Sequence, residues 1–271
     1  MPLSPRTKAE AFLKLHTGPG AFVIANVWDA GSARQMAGLG FKALATSSGA
    51  AAGTLGRVDG KLSRAEAMAH AEGIAAATDL PVSGDLENGF GDTPEDAATT
   101  IRDAAAAGLS GASIEDFSGK EVYPLDLAVK RIEAAVAAAR ALPHPFVLTA
   151  RSENFLRGKP DLADTLARLK AYEAAGADCL MAPGLPDLAA VRQVCQSLTK
   201  PVNYMVALPG KTMTKAQLED AGVRRISLAT SLYRAAMTGL IEAAREVAEK
   251  GTFTYVDRAL PTSEIVKHYQ R

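Results

Sequence analysis

The sequence predicts a single (β/α)8 barrel, and three observations predict it. Short apolar runs rich in branched residues alternate with alanine-rich helical stretches, the order that places parallel strands inside and crossover helices outside. Eight such pairs follow one another, with no Pro-, Gly- or Ser-rich linker to divide them. A weak repeat, Ala37-Gly38-Leu39, Ala107-Gly108-Leu109, Ala175-Gly176-Ala177 and Ala221-Gly222-Val223, recurs between a helix and the next strand, where glycine serves as a left-handed C-cap. A length of 271 residues suits one barrel of this kind.

The first strand is expected over 22–28 and its helix over 30–37. The second strand, 43–49, leads through the glycine-rich Gly56-Arg57-Val58-Asp59-Gly60 into a helix over 63–77. Leu80-Pro81-Val82 opens strand three, 81–87, and the glycines of Asp85-Leu86-Glu87-Asn88-Gly89-Phe90-Gly91 turn the chain sharply after it. Thr93-Pro94-Glu95-Asp96 then starts a helix over 94–107 with a cap residue, proline at the first position and two acids matched to the helix dipole. Strands over 111–116, 146–151, 178–183, 201–207 and 225–230 complete the set, with helices over 125–142, 161–175, 187–198, 215–221 and 232–250. Beyond them 251–262 reads as a loop and 263–270 as one more short helix, so the one domain, 1–271, has a barrel core over about 22–251 and an extension over 252–271.

Thirty basic and thirty acidic residues cancel, and no basic run is interleaved with aromatics, which argues against a nucleic-acid partner. Cys179 and Cys195 sit in apolar or helical patterns without CxxC spacing, as expected of reduced thiols in a cytoplasmic protein. The N-terminus lacks an apolar signal region, and no apolar run reaches the roughly 18 residues of a membrane span, so no membrane partner is expected.

Barrel enzymes carry their sites at the C-terminal strand ends. Asp85 and Glu87, two residues apart on a strand, would share a face, and Glu115 of Ile114-Glu115-Asp116 ends the neighbouring strand. An isolated pair of acids is ordinarily a solvated turn, but three converging carboxylates repel each other, and Mg²⁺ or Mn²⁺ with oxygen ligands is the natural remedy. Arg151 ends strand five with a planar fork suited to a carboxylate or phosphonate, or to an ion pair with those acids. Ser48 and Gly49 follow strand two, Asn203 lies within strand seven, and Asp59 alone would be an ordinary turn residue. None of the four histidines falls at a predicted C-terminal strand end, which leaves zinc or a Ser-His-Asp triad without support.

Taken together, Asn26-Val27-Trp28-Asp29-Ala30, Ser48-Gly49, Asp59, Asp85-Leu86-Glu87-Asn88-Gly89-Phe90-Gly91, Ile114-Glu115-Asp116 and Ala150-Arg151-Ser152 resemble the isocitrate lyase/phosphoenolpyruvate mutase superfamily, in particular its short branch without a catalytic cysteine. The resemblance implies that Asp85 binds Mg²⁺ directly, that Asp59, Glu87 and Glu115 hold the metal's water ligands, and that Ser48 and the Gly49 backbone bind a substrate carboxylate with Arg151 at the other end. It further implies a metal-stabilised pyruvate enolate formed as a C–C or P–C bond breaks, and a dimer of dimers that exchanges the eighth helix between subunits. Thiol-dependent members carry a Lys-Cys-Gly-His type loop after strand four. Here that loop reads Phe117-Ser118-Gly119-Lys120-Glu121-Val122-Tyr123-Pro124, with Lys120 as its one candidate acid or else a solvent-exposed lysine, and is expected to act as a mobile lid.

The expected function is a Mg²⁺-dependent lyase acting on a small α-keto or α-hydroxy dicarboxylate, with oxaloacetate decarboxylation or a related retro-aldol cleavage first. Phosphonate P–C bond chemistry and a keto-acid-binding barrel without turnover are the alternatives, and a homotetramer is the expected assembly.

Overall fold

In the computed structural model of the chain, which describes residues 3–210 and 212–269, eight parallel strands close into a barrel in sequence order, and β8 returns to pair with β1. The strands are β1 (Phe22–Asn26), β2 (Leu44–Ala45), β3 (Val82–Asp85), β4 (Gly111–Glu115), β5 (Val147–Arg151), β6 (Cys179–Met181), β7 (Val202–Met205) and β8 (Arg225–Ser227). The helices are α1 (Pro5–Thr17), α2 (Ala30–Gly38), α3 (Ser48–Thr54), α4 (Arg64–Ala76), α5 (Pro94–Ala106), α6 (Leu125–Arg140), α7 (Leu162–Ala174), α8 (Leu188–Gln196), α9 (Lys215–Asp220), α10 (Ser231–Lys250) and α11 (Thr262–Val266). No helix among the described residues is long and apolar enough to cross a membrane.

Strand alternation divides the side chains between two layers. Leu148 and Ala150 of β5 point outward into the apolar layer that also buries Ile101, Ile132, Leu169 and Val191 from the helices. Val147 points inward to a smaller cluster with Ile24, Ala43, Ala45 and Cys179, which Phe12 of α1 closes from below. A Cβ on Gly111 would lie 2.8 Å from Phe12 Cε1 and nearer still to a backbone oxygen of β5, so glycine there lets α1 seat against the barrel.

Four local expectations are corrected. The N-terminal helix α1 was absent from the eight-pair pattern, although Ser4 caps it and Pro5 begins it. The second strand stops at Ala45, because Ser47 caps α3, so Ser48 and Gly49 stand on the first turn of a short helix instead of a strand end. Of the four repeat glycines, Gly108, Gly176 and Gly222 adopt left-handed φ, whereas Gly38 stays inside α2 and Gly40 takes that conformation. In the C-terminal extension a 3-10 turn, Thr254–Arg258, interrupts the expected loop, and the last helix is α11, shorter than 263–270; Gln270 lies outside the described residues.

The helix α10 does not close the barrel wall as the others do. Its start touches the barrel through the edge-to-face pair Trp28–Tyr233, yet none of its 20 residues is buried, and Leu240 is 59 % exposed. The tail after it returns to α2, where Arg34 Nη1 donates to the Tyr269 carbonyl at 3.1 Å.

Candidate active site

Parallel register brings the predicted acids and Arg151 onto neighbouring strand ends. Asp85 pairs with Ser113 across β3 and β4, and Glu115 pairs with Arg151 across β4 and β5, so all four face the barrel interior at its C-terminal end. Arg151 Nη1 lies 3.6 Å from Asp85 Oδ1 and 3.4 Å from Glu115 Oε2. On the other side, Asp85 Oδ2 accepts from both the backbone N–H and the hydroxyl of Ser48, at 3.0 and 3.1 Å. The short helix α3 therefore aims Ser48 at the metal candidate, a placement that its cap at Ser47 determines.

Glu87 reaches the site for a different reason from the one its spacing implied. The strand ends at Asp85, and Glu87 adopts φ +50°, so a left-handed turn, not strand alternation, carries its side chain. Such a conformation costs a non-glycine residue about 1–3 kcal/mol and gathers at functional sites. A backbone bond from Glu115 N–H to the Glu87 carbonyl, 2.9 Å, fixes it to β4. Burial, with Asp85 and Asp59 nearby, pushes the Glu87 carboxyl up to about 7 despite Arg151. Glu115 is raised too, by burial above all and by Glu153 and Asp85, against the pull of Arg151 and Arg157.

Asp59 stands exposed across from Gly49, where a Cβ would sit 3.3 Å from Asp59 Oδ2 and 3.1 Å from Thr230 Cγ2. Ser48, Asp59, Glu87, Glu115 and Arg151 line one cavity of about 790 Å³, a size suited to a small-molecule site, and Lys120 lines its far wall. Asn203 is not on that wall. Its amide lies one layer lower, donating to Ser227 Oγ at 3.0 Å and accepting from Arg225 Nε at 2.8 Å.

Two residues of the charged cluster escaped the sequence reading. Glu153, fully buried, accepts from Arg151 Nε and so orients the other edge of the fork toward Asp85 and Glu115. Arg157 lies 2.8 Å from Glu153 and 3.5 Å from Glu115, with its guanidinium 3.9 Å from the centre of the Phe117 ring. The signal was present: Arg151-Ser152-Glu153 repeats the i, i+2 spacing of Asp85 and Glu87. Below them the Glu153 N–H donates to Asp116, whose other oxygen accepts from Arg168 and the Tyr172 hydroxyl, a buried support for the β5 turn.

The donor set fits a hard divalent cation in one particular way. Among the described residues no group of three or more His, Cys, Asp or Glu side chains closes around a common point. The family resemblance makes Asp85 the proposed direct ligand, with most of the shell left to water, the habit of Mg²⁺. Since Glu87 and Glu115 hold protons into the neutral range, cation binding should release protons, and Mg²⁺ affinity should rise between pH 5.5 and 8. The metal-free protein should show the opposite trend in stability. A carboxyl raised from 4.5 to about 7 favours the folded state fully below 4.5, and that contribution is lost as pH rises through about 7. A pH-independent Mg²⁺ affinity by calorimetry would remove both glutamates from the site.

The chain is similar to several known proteins. A protein of Burkholderia cenocepacia J2315, described only in general terms as a lyase/mutase, superposes with a TM-score of 0.96 at 47 % identity, covering 98 % of this chain and 97 % of that one. Probable 2-methylisocitrate lyase 2 of Corynebacterium glutamicum is 33 % identical over 84 % of this chain and 76 % of its own length. Oxaloacetate decarboxylase of Paraburkholderia xenovorans is 27 % identical over 93 % of this chain and 86 % of its own. The sequence profile described as phosphoenolpyruvate phosphomutase matches residues 12–248, so this chain belongs to that family and is an enzyme of the phosphoenolpyruvate mutase/isocitrate lyase superfamily.

Proposed function

We propose that the chain is a Mg²⁺- or Mn²⁺-dependent lyase that cleaves the C–C bond next to the keto or hydroxy group of a small dicarboxylate, with oxaloacetate decarboxylation as the favoured reaction. The observation that carries this reading is the composition of the cavity wall: among the described residues, Asp85's neighbours Ser48, Glu87, Glu115 and Arg151 line it and no cysteine or histidine does, while His70 borders a separate pocket of about 10 Å³ behind the acids, its Nε2 2.8 Å from the Trp28 carbonyl. Cleavage that expels a carbanion needs a nearby acid, whereas decarboxylation lets CO₂ leave without a proton. The likeness to the Paraburkholderia xenovorans oxaloacetate decarboxylase supports the same choice.

In this reaction Ser48 and the Gly49 backbone hold one carboxylate, and Arg151 balances the negative charge of the bound acid. A divalent cation held by Asp85, with Asp59, Glu87 and Glu115 on its water ligands, would supply positive charge that favours the enolate formed as the bond breaks. The pair of electrons from the C–C bond passes to the remaining pyruvate carbon skeleton, which then takes one proton. Incubation with Mg²⁺ and a panel of oxaloacetate, isocitrate, methylisocitrate, citramalate, malate and phosphonopyruvate, followed by NMR, should show pyruvate and CO₂ from oxaloacetate. Turnover of phosphonopyruvate alone would replace this reading with P–C chemistry, and no turnover of any acid would leave a binding barrel.

Lys120 is the proposed proton donor. It sits exposed at the tip of a hairpin closed by the Phe117–Val122 bridge and by Ser118, whose hydroxyl accepts from the Lys120 and Glu121 N–H groups at 3.2 and 3.0 Å. Because the turn is bonded to itself, closure of this lid would move the hairpin as a unit. Lys120→Ala should lower kcat about 10²-fold and leave the affinity for oxalate, a planar analogue of the pyruvate enolate, unchanged. Equal losses in both would make Lys120 a binding residue, and no loss would leave protonation to water.

The assembly follows from α10. A 20-residue helix with nothing buried, continued by exposed Phe253 and Leu260, requires another surface, and a second copy that takes α10 against its own barrel supplies one. Light scattering should give four times the 28.3 kDa chain mass, and a monomer at micromolar concentration would refute it.

A further inference from the structure

One layer beneath the candidate active site the barrel encloses a cation that the proposed chemistry does not use. Arg225 opens β8 and turns into the barrel, where it is 4 % exposed. Its Nε donates to Asn203 Oδ1 at 2.8 Å, its Nη2 donates to Thr149 Oγ1 at 2.8 Å, and its Nη1 lies 3.4 Å from His16 Nε2. None of these partners is negative, and burial together with Arg225 holds His16 down at about 3, so the imidazole is neutral. Arg225 forms no ion pair among the described residues, unlike Arg151 above it.

A buried charge without a counter-charge is costly, and a guanidinium has five N–H donors, of which these contacts use three. Beside Arg225 lies a recess of about 50 Å³, lined by Ser83, Ser113, Asn203 and Ser227 and bounded at its upper end by Asp85 and Arg151. That volume exceeds what one water needs. Ser83 is 4 % exposed and borders the recess. The recess therefore combines apolar walls, among them Ile24, Met181 and Met205, with a few polar groups and a positive charge on its floor, and is too small for a whole dicarboxylate.

We infer that this recess is a small-anion site, taking a monovalent anion of chloride or formate size with Arg225 as its counter-charge and the hydroxyls of Ser83, Ser113 and Ser227 as further donors. A free ion and the carboxylate head of a bound acid share this chemistry. The inference stands apart from the assigned reaction, because it rests on the unpaired cation alone.

The test uses the full chain in chloride-free sulfate buffer. Crystals soaked in bromide should show an anomalous peak in the recess against Arg225. In solution, chloride or formate should raise the Tm of the wild type saturably, by about 2–5 °C. Arg225→Met should abolish that rise, and Ser83→Val, which keeps the guanidinium but fills the recess, should abolish it too if the first variant does not fold. Repeating the soak with oxalate separates the sources: loss of the bromide peak assigns the recess to a carboxylate of the bound acid and retention to a free ion, and both uphold the site. Water alone in the recess, a peak without a saturable Tm response, which is binding at crystal concentration only, or an equal response in the folded variants would overturn it.

Discussion

Asp85→Ala is expected to lower metal-dependent turnover by about 10³-fold or more while the protein stays folded. Asp85 ends β3 with its carboxylate 21 % exposed, outside the apolar layers, so truncating it leaves no apolar cavity. Its removal deletes the one proposed direct ligand and frees the Ser48 donors that its Oδ2 now occupies. Losing a group that faces developing negative charge typically costs 10²–10³ in rate, and losing the cation as well should exceed that. Glu87→Ala and Glu115→Ala, if their contacts run through water, should weaken Mg²⁺ binding by about 10–100-fold instead. A second effect follows from the repulsion between these groups: without Asp85, the Glu87 carboxyl should titrate below about 7, because Asp85 ranks next to burial among the causes that raise it. Unchanged Mg²⁺ affinity in the Asp85 variant would sink the assignment of the metal site.

How far the sequence disclosed this site depends on what each residue's neighbours do. Asp85, Glu115 and Arg151 lie at strand ends, and strand ends are legible because apolar periodicity stops there, so fold and central cluster follow from one pattern. Glu87 reaches the cluster by a route that strand alternation cannot foresee, a left-handed residue at φ +50°. Ser48 and Gly49 illustrate the reverse failure: Ala43 to Gly49 has no internal breaker, and only the Ser47 cap shows that strand two yields to a helix after two residues. Glu153 stayed hidden because a charged residue just past a strand usually faces water, and its burial depends on Asp116, Arg168 and Tyr172, contributed by other elements, while Arg157, itself exposed, joins the cluster only through Glu153 and Glu115. Arg225 was hidden for the same reason, as a barrel layer is a property of eight strands together and not of Arg225-Ile226-Ser227.

Arg151→Met should remove both activity and much of the stability. The guanidinium is held among Asp85, Glu115 and Glu153, with a side chain only 12 % exposed. Burial opposes its charge, but these three carboxylates outweigh burial and raise its pKa, which makes it the counter-charge of the cluster. Removing one partner of a buried ion network costs about 3–5 kcal/mol, because the carboxylates left behind must be desolvated without it. For a chain of this size that corresponds to a Tm lower by roughly 6–15 °C. The deficit should depend on pH with a definite sign. In the variant Glu115 and Glu87, which Arg151 holds down against burial, titrate higher than in the wild type, so the folded state binds protons that the unfolded chain releases. Its stability is then greatest below the ordinary carboxylate range and is lost as pH rises through the elevated values, so the gap to wild type should widen from pH 5 to pH 8. Arg151→Lys keeps the charge without the fork, and should recover part of the Tm but little of the turnover, since an ammonium cannot hold Glu153 on one edge and face Asp85 with the other. A Tm gap that stays constant with pH would show that Arg151 supports the barrel by packing alone.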